Sequence, residues 1–132
     1  MKKKKFSFSR PYVFVPMCVD YLHHGHIKIL LKAKKYGKVI VGLMTDKGIK
    51  SYKGKKPIIS FRNRKLILSN IKMVNHIIPI NGLEYSKLAK KFKFDFFIHG
   101  DDWKNGSQSA ERKALINTMK LWNGKVIEPS YT

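Results

Sequence analysis

Two hydrophobic periods alternate along this chain. The stretch "YVFVPMCV" (residues 12–19) is short, β-branched and apolar at nearly every position, the pattern of a strand covered on both faces. From His24 the period lengthens. Ile27, Leu30 and Leu31 recur at helical spacing with Lys28, Lys32 and Lys35 opposite, and Gly37 follows where a helix would end. "KVIVGLMT" (residues 38–45) predicts a second buried strand. "DKGIKSYKGKKPI" (residues 46–58) is polar and rich in Gly and Lys, and reads as a charged loop. Ser60 is placed to cap a helix over "FRNRKLILSNI", with Leu66, Ile67 and Ile71 inward. "HIIPI" predicts a third strand. "LEYSKLAKKF" predicts a helix with Tyr85, Leu88 and Ala89 inward. "FDFFIHG" predicts a fourth strand, "SAERKALINTMKLW" a helix with Ser109 as cap, and "GKVIEP" a last strand.

Strictly alternating strands and helices imply an α/β fold: a Rossmann-like, doubly wound parallel sheet of five strands with helices on both faces. Ligands bind such sheets beyond the carboxyl ends of the strands, where the strand order reverses. Three polar clusters fall at strand ends: "DYLHHGH" after the first, the lysine-rich segment after the second, and "HGDDW" after the fourth.

The length of 132 residues suits one domain, and 43% hydrophobic residues can build a core. The opening "MKKKK" resembles the start of a signal peptide, but the apolar stretch after it is broken by Ser, Arg and Pro. It reads as a basic, mobile tail over residues 1–10 ahead of a domain over residues 11–132. No apolar run approaches the roughly eighteen residues of a membrane span. The single cysteine, Cys18, cannot form an internal disulfide, which fits a cytoplasmic protein. The 28 Lys and Arg against 8 Asp and Glu give a net charge of +20, which attracts polyanions. Because lysine dominates and is spread along the whole chain, the charge suits a solvated surface and phosphorylated ligands more than a dedicated nucleic-acid reader.

In "HHGH", His23 and His26 are three residues apart and project to one side of a helix N-terminus, where unsatisfied N–H groups favour an anion. Gly25 between them lets a phosphate approach the backbone. Two imidazoles donating to a phosphoryl oxygen would stabilise charge growing in a transition state. Two other readings compete. The histidines could simply cap the helix. They could bind zinc, although no Cys/His pair at zinc spacing accompanies them. Lys53 and Lys55 lie in a cationic arm after the second strand, with Lys47, Lys50 and Lys56 as its solvated members. Arg62 and Arg64 could fork phosphates. Asp101 and Asp102 could orient a nucleotide or help hold Mg²⁺, while Trp103 leans toward the core and His99 toward packing.

Together these residues resemble the nucleotidylyltransferase superfamily. His23-His24-Gly25-His26, after a strand and Asp20, resembles its HxGH signature. "VGLMTDKGI", "SFRNRKLILSNIKMVNHIIPI" and "FIHGDDWK" are similar to cytidylyltransferase segments, the last to the "GDDW" of glycerol-3-phosphate cytidylyltransferases. Residues 99–132 are more similar still to the cytidylyltransferase domain that works with phosphoenolpyruvate mutase in phosphonate synthesis. The resemblance implies that a phosphonate or phosphate oxygen attacks the α-phosphorus of CTP and pyrophosphate leaves, with Mg²⁺ carried on the CTP phosphates. Carried over by position, His23 and His26 stabilise the transition state and Lys53 meets the acceptor, with Asp20 beside it. The backbone of Cys18 and Val19, the Gly25 turn, Lys55, Arg64 and Asp101 or Asp102 hold the nucleotide.

The resemblance also implies a homodimer, association with a phosphoenolpyruvate-mutase-type enzyme, and no membrane or specific nucleic-acid partner. The sequence departs from the pattern at Met17 and Val19, which stand in place of a Gly and a Phe, and Lys87 does not align with an acceptor-binding lysine. The family's closing "I-S-(S/T)-T" motif is expected after Thr132. The competing functions are an adenylyltransferase using ATP and a basic nucleic-acid-binding protein without catalysis.

Overall fold

A computed structural model describes residues 6–130 of the chain. The sheet contains β1 (Tyr12–Met17), β2 (Lys38–Met44), β3 (Val74–Ile80), β4 (Phe96–Ile98) and β5 (Lys125–Ile127). All neighbouring strands pair in parallel, in the order β3-β2-β1-β4-β5. The helices are α1 (His24–Lys34), α2 (Asp46–Lys53), α3 (Phe61–Ser69), α4 (Tyr85–Phe92) and α5 (Ser109–Met119). The expected five-stranded, doubly wound sheet is therefore the observed fold. Its order reverses between β1 and β4, so the switch point lies at the carboxyl ends of those two strands.

Strand alternation divides the core in two. Val13, Val15, Val39, Val41 and Leu43 face Leu30 and Ala33 of α1 and Leu68 of α3. Phe14, Ile40 and Met44 face Ile49 of α2, Tyr85 and Ala89 of α4, and Leu115 and Met119 of α5. Gly42 is required here, because a Cβ at that position would enter the ring of Phe14 on the neighbouring strand.

Four local expectations are corrected. The lysine-rich loop contains α2, capped by the Thr45 hydroxyl, which accepts the Gly48 N–H at 3.1 Å. Ile49 anchors this helix in the core and Gly54, at φ 80°, ends it. In α3 the buried positions are Arg64 and Leu68, while Leu66 and Ile67 are exposed. Ile71 packs against the core as expected, but within the helix Arg64 and Leu68 take the interior positions expected of Leu66 and Ile67. Ser109 is the first residue of α5 and not its cap, which is Gln108; its hydroxyl donates to the Gly106 carbonyl at 2.9 Å. Finally, the described part of the expected tail packs on the domain. Phe6 is buried and stacks against Phe8 and Phe92, and the Arg10 guanidinium donates to Asp95 at 3.0 Å. Residues 1–5 lie outside the described residues, as do Tyr131 and Thr132.

Arg64 closes the switch-point end of the sheet. Its guanidinium is fully buried. Nη1 donates to the Cys18 carbonyl at 2.8 Å and the Met44 carbonyl at 2.7 Å, which joins the ends of β1 and β2. Nε donates to the Ile59 carbonyl at 2.9 Å, and Nη2 to Asp46 Oδ1 at 2.7 Å. Asp46 also accepts the Phe61 N–H, at 2.9 Å, so the same carboxylate fixes the start of α3. Arg64→Leu would strand three carbonyls and is expected to lower the unfolding free energy by about 3 kcal/mol or more. Asp46→Asn keeps an acceptor for Nη2 but removes the counter-charge of a buried guanidinium, and should cost about 1–3 kcal/mol, less than Arg64→Leu. Denaturant unfolding of both variants at pH 7 measures the difference.

Candidate active site at the switch point

His23 and His26 form a reciprocal cap at the start of α1. His23 Nδ1 accepts the Gly25 N–H at 3.0 Å, and His26 Nδ1 accepts the His23 N–H at 3.1 Å. A ring nitrogen that accepts carries no proton, so each imidazole is set with Nε2–H as its donor. The ring centroids are 4.1 Å apart. Burial and the neighbouring His23 both push the pKa of His26 below its ordinary 6.5. Capping and phosphate donation are thus not alternatives: the bonds that cap the helix leave both Nε2–H groups free for a ligand. Gly25 serves this geometry more directly than expected, because a Cβ there would lie 2.8 Å from the His23 ring.

Asp20 occupies the turn before these histidines. Its carboxylate accepts the Ile58 N–H at 2.9 Å and the Ile59 N–H at 2.7 Å, and these two bonds lower its pKa. Asp20 therefore staples the segment after α2 to the histidine loop, and is not a free substrate ligand. Lys53, the last residue of α2, is close enough for its charge to act on both Cys18 and Asp20. Lys55 is exposed, two residues further on and three before the staple. Arg64 departs from its expected position: four of its five N–H groups donate to protein carbonyls and Asp46 and the side chain is fully buried, so it braces the strand ends instead of facing a phosphate. Arg62 is exposed. The Cys18 carbonyl is likewise taken by Arg64, while Val19 has φ 52°, a left-handed conformation that a β-branched residue adopts only under constraint.

On the opposite side of β1, Gly100 leads into a single 3₁₀ turn of Asp101, Asp102 and Trp103. Asp101 is half-buried and Asp102 exposed. Trp103 is buried, as expected, and stacks on His99 with centroids 3.8 Å apart. Its indole N–H donates to Glu128 at 2.6 Å, and Arg112 forks the same carboxylate at 2.7 and 2.9 Å. Glu128 escaped the sequence reading, since it lies in an ordinary strand-end segment 25 residues from its partner. A cavity of about 130 Å³ lies between β1 and this turn, lined in part by Cys18, Tyr52, Tyr85, His99, Asp102 and Gln108. Three larger open hollows lie beside α4, α5 and α1. Among the described residues, no three His, Cys, Asp or Glu side chains converge on a point where they could hold a metal ion. No helix among them is long and apolar enough to cross a membrane.

Comparison with known proteins adds to this geometry. The profile of the family described as cytidylyltransferase-like matches residues 15–128. The chain is 43% identical over 88 residues to a glycerol-3-phosphate cytidylyltransferase of Bacillus spizizenii, covering 64% of this chain and 67% of that protein. It is 36% identical over 110 residues to the bifunctional protein HldE of Helicobacter pylori, covering 79% of this chain. The match spans only 24% of the length of that relative. The crystal structure of a lipopolysaccharide core biosynthesis protein from Thermoplasma volcanium superimposes with a TM-score of 0.72 at 28% identity, covering 92% of this chain and 98% of that one.

Gly25→Ala should displace the His23 ring while leaving the folded core intact. The expected outcome is a melting temperature within a few degrees of the parent, with loss of whatever phosphate-ligand binding the two imidazoles provide. Asp20→Asn should speed hydrogen exchange at the Ile58 and Ile59 amides. In the parent chain the same protection is present above the ordinary carboxyl value of 3.8, and is lost as the pH falls through the lower folded-state value. Exchange measured by NMR across that range tests both statements.

Proposed function

The chain belongs to the cytidylyltransferase-like family, and from that premise we propose that it transfers CMP from CTP to a small phosphorylated alcohol or phosphonate, releasing pyrophosphate. The observation that carries this reading is the pair of imidazoles whose Nδ1 atoms are occupied and whose Nε2–H groups are free at a helix N-terminus. The sequence likeness to a glycerol-3-phosphate cytidylyltransferase supports the choice of CTP and of a phosphate-bearing acceptor.

In the proposed reaction an acceptor oxygen attacks the α-phosphorus in line. A new P–O bond forms, the bond to the β-phosphate bridging oxygen breaks, and its electrons leave with pyrophosphate. His23 and His26 donate to the α-phosphoryl oxygens as negative charge builds on them. Lys53, at the end of α2, holds the acceptor's phosphorus group, and Lys55 meets the triphosphate. None of these residues needs to form a covalent bond: positioning and preorganised donors lower the barrier. Mg²⁺ arriving on the triphosphate would offset its charge. The described residues offer it no cage of their own, so it would be bound through nucleotide oxygens and water.

Purified protein with CTP, Mg²⁺ and a panel of acceptors should release pyrophosphate, and His26→Ala should reduce the rate by about a hundredfold or more. CTP should raise the melting temperature more than ATP. Absence of pyrophosphate with every acceptor would reject the reading. Random duplex DNA retained equally by the parent and His26→Ala, with no turnover, would favour the charge-driven binder instead. Activity should also fall on the acid side. Protonating His26 adds a hydrogen to Nδ1, the atom that accepts the His23 N–H. The neutral ring is the competent one, and it is lost as pH descends through a value below 6.5.

A further inference from the structure

The two ends of the sheet differ in charge. At the carboxyl ends of the strands, cations and acids are mixed. At the amino ends, where α1, α3, α4 and α5 terminate, they are not. Lys34 and Lys35 close α1, Lys90, Lys91 and Lys93 close α4, and Lys120 follows α5. Lys38 begins β2, Lys125 begins β5, and Lys72 stands shortly before β3. All of these are exposed except Lys38, which is half-buried. Of the 8 acids in the chain, only Asp95 lies at this end, and Arg10 pairs with it at 3.0 Å. The others begin helices or follow strands at the opposite end. A helix dipole favours lysine in a last turn, but it does not place lysine at the starts of β2 and β5. Phe6, which follows Lys2–Lys5 in the sequence, stacks on Phe92 at the close of α4 and so belongs to this end as well. One apolar group interrupts the lysines. Leu121, in the 3₁₀ turn after α5, is 78% exposed, the most of any large hydrophobic side chain among the described residues. Its neighbour Lys120 lines an open hollow at the edge strand β5, together with Lys125, Ile116, Val126 and Ile127.

We propose that this basic end docks on an anionic lipid bilayer, with its lysines at the headgroup phosphates and Leu121 entering the boundary between headgroups and acyl chains. The attachment is to the surface, since no helix among the described residues is long and apolar enough to cross a membrane. It departs from the absence of a membrane partner that the family resemblance implied. Each lysine near an anionic leaflet adds to the attraction, and the long stem lets an ammonium stay at the headgroups while a neighbouring leucine goes deeper. Burying Leu121 in that boundary is favourable, whereas a row of phosphates in water gives it nothing. Nucleic acid is the other polyanion of suitable charge, and this end suits it less. Strands of nucleic acid are gripped by free arginines and stacked on by aromatic rings. Here Arg10 is paired with Asp95, and the exposed aromatics, Tyr21 and Tyr52, lie at the opposite end of the sheet. His23 and His26 are also at that opposite end, so docking leaves the switch point toward water and is separable from turnover.

The test is co-sedimentation of the full chain with vesicles of phosphatidylcholine, alone or mixed with phosphatidylglycerol. The parent should bind the mixed vesicles and not the neutral ones. Lys91→Glu, Lys120→Glu and Lys125→Glu combined should weaken that binding by at least about tenfold. Lys47→Glu, Lys104→Glu and Lys113→Glu combined lower the net charge equally but act at the other end, and should weaken it by no more than about twofold. Leu121→Ser should weaken vesicle binding by about threefold or more, and leave retention on duplex DNA unchanged. Melting curves show whether each variant is folded; if charge reversal unfolds the chain, glutamine at the same three positions is read instead. No binding of the parent to mixed vesicles overturns the proposal. Equal weakening by the two triple variants also overturns it, because net charge and not this face would then be responsible. So does a Leu121→Ser variant that binds vesicles like the parent, and if duplex DNA is lost together with Lys91, Lys120 and Lys125 in that case, the face belongs to nucleic acid.

Discussion

One buried guanidinium makes the rest of the site possible. The carboxyl ends of β1 and β2 present backbone carbonyls beside the switch point, and a buried carbonyl without a donor is costly. Arg64 supplies donors to both ends and to Ile59, and takes its counter-charge from Asp46. Its planar fork reaches four acceptors at once, which an ammonium on a flexible stem would not do. The residue after Cys18, Val19, is held at φ 52°. With the chain anchored at the Cys18 carbonyl on one side and at Asp20 on the other, that strained turn is over-determined, and it directs the backbone into the histidine loop.

Structure and chemistry share the same bonds in that loop. The reciprocal cap occupies Nδ1 of both rings, and this leaves Nε2 to carry the proton of each. The cap thus selects the tautomer that suits a phosphoryl oxygen, and burial keeps His26 from acquiring a second proton near neutral pH. Had either ring donated through Nδ1, Nε2 would carry a lone pair and repel the same oxygen.

The fold was legible because its strands are continuous apolar runs and its helices change period abruptly, as between Val19 and Ile27. The histidine pair was legible because three residues in a helix place side chains on one side regardless of tertiary context. What escaped depended on distant partners. α2 was hidden by Gly48 and five lysines between residues 47 and 56, although Thr45 and Ile49 supply its cap and its anchor. Arg64 read as a phosphate ligand because only the fold brings the ends of β1 and β2 to it. Asp20 read as a substrate ligand because nothing local to it shows that the Ile58 and Ile59 amides arrive 38 and 39 residues later. His99 read as merely packed. It is packed, but one ring nitrogen satisfies Gly100 and the other is left over, which composition and spacing do not reveal.

The two sides of the switch point are charged in opposite senses, and that separation follows from what each must exclude. On the histidine side the N-terminus of α1 favours a polyphosphate but would equally favour any anion in reach. Discrimination cannot come from that side alone. Across β1 the lining turns to Tyr, His, Cys and one carboxylate, with no cation among them. The Glu128–Arg112 pair holds the Trp103 indole and Trp103 stacks on His99, so this wall is built from stacked and hydrogen-bonded rings instead of from charges.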